Sequence, residues 1–115
     1  MENLAAGKCV ACRKGEPALT DAEIQDLHLS VPQWQVQEVD GMLRLERTLK
    51  FKNFADALAF TNKVGAIAEE EDHHPRIVTE WGKVTLQWWT HVIGGLHKND
   101  FIMAAKSDEI FTRYQ

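Results

Sequence analysis

The stretch Ile77-Val78-Thr79-Glu80-Trp81-Gly82-Lys83-Val84-Thr85-Leu86-Gln87-Trp88-Trp89-Thr90-His91 decides the fold. Its period is two. Ile77, Thr79 and Trp81 lead into Gly82-Lys83, which reads as a turn. Beyond it, Val84, Leu86, Trp88 and Thr90 share one face, while Lys83, Thr85, Gln87, Trp89 and His91 share the other, because successive strand side chains point to opposite sides. The spacing predicts an antiparallel strand pair with Trp88 in the core and His91 at the end of the second strand. A turn centred near residue 83 would place Pro75 or Arg76 opposite His91.

The same period appears upstream. Trp34 and Val36 alternate with Gln35 and Gln37; Leu43, Leu45, Leu49 and Phe51 alternate with Arg44, Glu46, Thr48 and Lys50. Asp40-Gly41 between them suits the positive φ angles of a two-residue hairpin. One apolar and one polar face describe a half-buried hairpin, although Arg47 interrupts the apolar side.

Between and around the hairpins the period lengthens. Asn53 suits an N-cap, and Phe54, Ala57, Leu58, Thr61, Val64 and Ala68 form one helical stripe. That helix is predicted to run to about Glu70, with Pro75 as its latest stop. Thr20 and Glu23 have capping-box spacing, so a helix should begin at Asp21 and end before Pro32. After Gly94-Gly95, Asn99 is read as the cap of a last helix through about Arg113. Residues 1–18 carry Gly7, Gly15 and Pro17 without periodicity and read as a flexible arm. The prediction is a single α+β domain over 1–115: a four-stranded antiparallel sheet with three helices packed on one face, in the order α-β-β-α-β-β-α.

Composition bounds the function. The chain has 115 residues, a formal net charge of -4 and 44% hydrophobic residues. One domain is expected at this length. The acidic balance argues against a nucleic-acid partner. No apolar run approaches the roughly 18 residues of a membrane span, and Met1–Gly15 lacks a signal-peptide pattern. Two cysteines do not make a secreted disulfide framework. A cytoplasmic protein that does not bind membranes is expected.

The candidate chemistry lies in two segments, Asp72-His73-His74-Pro75 and Thr90-His91. Imidazole titrates near neutrality and exchanges protons without large tuning. His73 and His74 would point to opposite sides of an extended chain, so only a local bend can aim both at one ligand. Surface histidines and a structural His91 are the plain alternatives. Zinc is a sharper rival, with Asp72 or Asp100 as a fourth ligand. Adjacent histidines are poor chelators, however, because favoured pairs lie on one face, so no metal is expected.

Cys9-Val10-Ala11-Cys12 reads first as two free thiols in a mobile segment; it is half a zinc site at most, and Lys8, Arg13 and Lys14 would favour the thiolate if the pair is reactive. Trp89 either walls a flat ligand or covers a subunit interface. The acidic run Glu69–Asp72 reads as a solvated helix end.

Asp72-His73-His74-Pro75, Trp81-x-x-Val84, Thr90-His91, Gly95-Leu96 and Asp100, taken in this order, resemble the pterin-4a-carbinolamine dehydratases over about Thr20 to Tyr114. The Trp88-Trp89 pair and the CxxC arm are most similar to bacterial members that work beside phenylalanine hydroxylase. The resemblance implies the same fold and a 4a-hydroxytetrahydropterin substrate, dehydrated to quinonoid dihydropterin with no metal or organic cofactor, in tetrahydrobiopterin-type recycling.

It implies that His73, His74 and His91 are catalytic, with His73 and His91 as the acid/base pair and His74 in binding and electrostatics. Asp72, Pro75, Trp89 and Thr90 would shape the substrate pocket. Asp100 would orient a histidine or serve the helix N-terminus. A homo-oligomer, dimer or tetramer, is also implied. Two rival readings are a non-catalytic dimerisation module on the same fold and a metal-dependent hydrolase.

Overall fold

A computed structural model describes residues 3–11 and 13–115. Helix α1 spans Asp21–His28, strands β1 and β2 span Gln35–Val39 and Met42–Lys50, and helix α2 spans Phe54–Glu71. Strands β3 and β4 follow at Arg76–Glu80 and Lys83–Trp88, and helix α3 at Lys98–Phe111. All pairings are antiparallel, in the sheet order β1-β2-β4-β3. The predicted fold class and element order are what the chain adopts.

Local chemistry explains the element ends. Thr20 and Glu23 form the reciprocal capping box at α1. Asn53 caps α2 through a 2.8 Å bond from the Asp56 N–H. Asp40 and Gly41 join β1 to β2 at φ 53° and 78°, the mirror-image turn that matches strand twist.

Three expectations are corrected. The β3–β4 turn is Trp81-Gly82, because Glu80 pairs with Lys83. Gly82 takes the φ 78° position there, which a side chain would strain. Arg76 therefore faces Gln87, not His91. Second, β4 ends at Trp88, so His91 is not on the strand but opens a 3-10 turn, His91–Ile93. Third, the cap of α3 is His97, not Asn99. His97 Nδ1 accepts from the Asn99 N–H, and Asp100 accepts from the His97 N–H. The Asn99 amide is engaged with Val10 instead.

The helices cover one face of the sheet. Leu45, Leu49, Val84, Leu86 and Trp88 point into a core closed by Ala57, Phe60 and Val64 of α2 and by Phe101, Met103 and Ala104 of α3. Arg47, the interruption of that face, is accommodated by an ion pair. Its guanidinium meets Asp108 of α3 at 2.6 Å, and the Trp34 indole N–H donates to the same carboxylate oxygen. The described part of the N-terminal arm lies against α3: Leu4 is buried, and Lys106 Nζ donates to the Ala5 carbonyl.

Candidate active site

The end of α2 aims the histidine pair. Asp72 adopts the left-handed conformation, φ 51° and ψ 45°. The His73 N–H returns to the Ala68 carbonyl at 3.0 Å and the Asp72 N–H to Glu69 at 3.3 Å. This is the Schellman closure, with aspartate where glycine is commoner. The bend turns successive side chains apart: His73 is 9% exposed, whereas the His74 side chain is 55% exposed.

His73 is held on two sides. Its ring stacks on Trp88, with centroids 5.9 Å apart and planes 9° from parallel. Its Nε2 lies 2.6 Å from Oδ1 of Asp100. The other carboxylate oxygen of Asp100 accepts from the Thr90 hydroxyl and from the His97 N–H, at 2.8 and 2.9 Å. With Oδ2 taken by these two donors, Oδ1 is the oxygen that meets His73, and a proton on His73 Nε2 would satisfy that contact.

His74 Nε2 contacts Glu69 at 2.6 Å, one turn back on α2, in an exposed pair. His91 is placed by the loop. Thr90 and Gly95 exchange backbone hydrogen bonds, and Gly94 turns the chain at φ 68°. That closure carries the intervening 3-10 turn, whose His91 and Val92 line the same pocket as Glu71 at the end of α2.

His73, His74 and His91 line one pocket of about 580 Å3, together with Asp72, Trp89 and Thr90. Histidines from two distant segments thus share a cleft. Trp89 carries the Arg44 guanidinium 4.0 Å from its ring centroid, and Arg44 also donates to Gln87. Asp100 is fully buried behind His73 and Thr90, and Pro75 lies outside the lining. Among the described residues, no three His, Cys, Asp or Glu side chains form a metal-binding group.

Sequence reasoning missed Cys9, Val10, Ala11, Glu71 and Val92, which complete the walls. It also missed His97, whose Nε2 meets Glu16 at 2.8 Å. No periodicity marks these positions; only the CxxC singled out Cys9. Cys12 lies outside the described residues, so the motif's geometry is not part of the structure.

A buried histidine on a carboxylate thus lines one pocket with two further histidines, on an antiparallel α+β fold. The chain belongs to the pterin 4 alpha carbinolamine dehydratase family, whose model matches residues 17–110. It is 56% identical over 110 residues to a candidate pterin-4-alpha-carbinolamine dehydratase of Syntrophotalea carbinolica, covering 96% of this chain and 98% of that one. A relative of the same name in Marinobacter nauticus is 58% identical over 111 residues, covering 96% of this chain and all of that one.

Among solved structures, a transcriptional coactivator/pterin dehydratase from Brucella melitensis superposes with a TM-score of 0.73 at 32% identity, over 81% of this chain and 97% of the other. A pterin dehydratase-like protein identified as a RuBisCO assembly factor shares the fold, with a TM-score of 0.58 at 22% identity over 68% of this chain and 88% of the other.

Proposed function

We propose that this chain is a hydro-lyase that dehydrates 4a-hydroxytetrahydropterin to quinonoid dihydropterin. The reaction breaks the C4a–O bond and the N5–H bond, forms the C4a=N5 double bond and releases water. The N5 lone pair drives the hydroxyl out, so the protein must protonate the departing oxygen and take the N5 proton. His73 and His91 are the acid/base pair. His74, paired with Glu69, supplies binding and electrostatics from the rim. Asp100 orients the His73 ring through the Nε2–Oδ1 contact. Asp72, Trp89 and Thr90 shape the pocket, with Pro75 fixing the bend beside it.

The observation that carries this reading is the shared pocket of His73, His74 and His91, with His73 seated on a buried carboxylate. The biological setting proposed with it is cytoplasmic recycling of a tetrahydrobiopterin-type cofactor beside phenylalanine hydroxylase, by a homo-oligomer. The test is stopped-flow dehydration of 4a-hydroxytetrahydropterin between pH 5 and 9. A profile governed by groups near the ordinary imidazole pKa of ~6.5 supports it. A rate equal to the uncatalysed rate at every pH overturns it.

A further inference from the structure

We propose that residues 9–11, the end of the packed N-terminal segment 3–11, are a ligand-contacting wall of this pocket, in which Val10 and Val92 form an apolar rim against the bound heterocycle. The proposal rests on the pterin reading of the site and adds its affinity determinants. The segment lies outside the family-model match, which begins at residue 17. Yet it is tied down along its length. Leu4 is 3% exposed. Gly7 passes so close to α3 that a Cβ there would sit 3.3 Å from Ile102 Cδ1. Asn99, Ile102 and Lys106 stand three and four residues apart on one face of α3, and each touches the segment.

At the pocket the attachment becomes specific. The Cys9 N–H donates to Glu71 Oε1 at 2.8 Å. The Asn99 side chain, in a residue only 2% exposed, pairs with both backbone groups of Val10: it accepts from the N–H at 3.1 Å and donates to the carbonyl at 2.7 Å. A primary amide used this way imitates a neighbouring strand. Glu71 and Asn99 adjoin the elements that carry the site, Asp72-His73 on one side and Asp100 on the other.

The segment is therefore anchored to both walls, and its residues 9–11 line the pocket with the histidines. Val10 and Val92 are 63% and 50% exposed, and both line it. Two open aliphatic side chains at the mouth of a polar cleft suit the face of a flat ring. Asn99 and Glu71 are positioning residues; Val10 and Val92 contact the ligand.

The test is isothermal titration with 7,8-dihydropterin, which has no 4a-hydroxyl to lose, alongside dehydration kinetics. The exposed pair Val10→Ser/Val92→Ser should raise Kd and KM by about five- to tenfold, with kcat within about twofold of wild type. Asn99→Ala should raise KM in the same way and speed tryptic cleavage after Lys8. Bound dihydropterin should slow that cleavage in the wild-type chain. If the wild-type protein binds dihydropterin and the double serine variant binds it equally well, the rim is overturned while the pterin site stands. If the wild type neither binds dihydropterin nor dehydrates the carbinolamine, the pterin reading fails and the rim with it.

Discussion

His73 Nε2 and Asp100 Oδ1 are 2.6 Å apart, between a histidine that lines the pocket and a carboxylate that solvent does not reach. Thr90 and the His97 backbone saturate the second carboxylate oxygen, so Asp100 is held as an acceptor for His73. Asp100→Asn replaces the charge with a dipole that also carries donors. It should lower kcat by about ten- to hundredfold, part of the ~10²–10⁴ that general acid/base catalysis supplies. It should also cost about 1–3 kcal/mol of stability, because a buried donor loses its acceptor. Steady-state kinetics and urea melts of the same variant read both effects.

His74 and His91 should separate. His74 is exposed and engaged by Glu69, which suits a role in the field around the ligand. His74→Gln should reduce kcat/KM by less than about tenfold, whereas His91→Gln should reduce kcat by about 10²–10⁴. Parallel kinetics of the two variants check the order; an equal loss in both would contradict the distinction, and a larger loss in His74→Gln would reverse it.

Arg44 fixes the Trp89 wall by stacking 4.0 Å from its ring centroid and bonding to Gln87. Removing a partly desolvated cation–π contact loses about 0.5–2 kcal/mol. Arg44→Ala should therefore raise KM by about two- to fivefold through a looser Trp89 while kcat is held. Arg44→Lys should recover little, since an ammonium lacks the flat face that stacks. Trp89 fluorescence anisotropy gives an independent readout.

A pH-dependent term in stability lies away from the pocket. Burial pushes the Asp108 carboxyl above its ordinary value of 3.8, outweighing the hydrogen bonds from Trp34 and Arg47 and the Arg47 charge. The native chain thus holds this proton more tightly than the unfolded chain. The group's stabilising contribution is complete below pH 3.8 and is lost as pH rises through the raised native value. The Tm of wild type minus that of Asp108→Asn should fall as pH rises across this window and level off above it. Calorimetric scans from acid to neutral pH measure it.

Much of the fold was legible in the sequence because its signals are local. Asp40-Gly41, the Thr20/Glu23 box and the Asn53 cap act within a few residues, and Val84, Leu86 and Trp88 alternate into the core as their spacing indicates, although Gln87 between them is buried too. Errors arose where a distant partner competed. Asn99 looked like a cap, but its amide is taken by Val10 from far along the chain, and His97 caps instead. Arg47 looked like a flaw until Asp108 supplied its partner.

The site divides the same way. The motif residues were readable. The bend that sends His73 inward depends on Asp72 in a left-handed conformation, which glycine would have announced and aspartate does not. His91 looked like a strand residue because alternation ran on to Thr90, but the Thr90–Gly95 bridge carries it out of the sheet. The walls from residues 9–11 have no local signature at all.

The most direct test of the central claim is dehydration by the double variant His73→Ala/His91→Ala under single-turnover conditions, with its fold checked by circular dichroism. A native spectrum with the rate reduced by at least about 10²-fold is predicted. A native spectrum with a wild-type rate would contradict the proposal that these two imidazoles carry the protons.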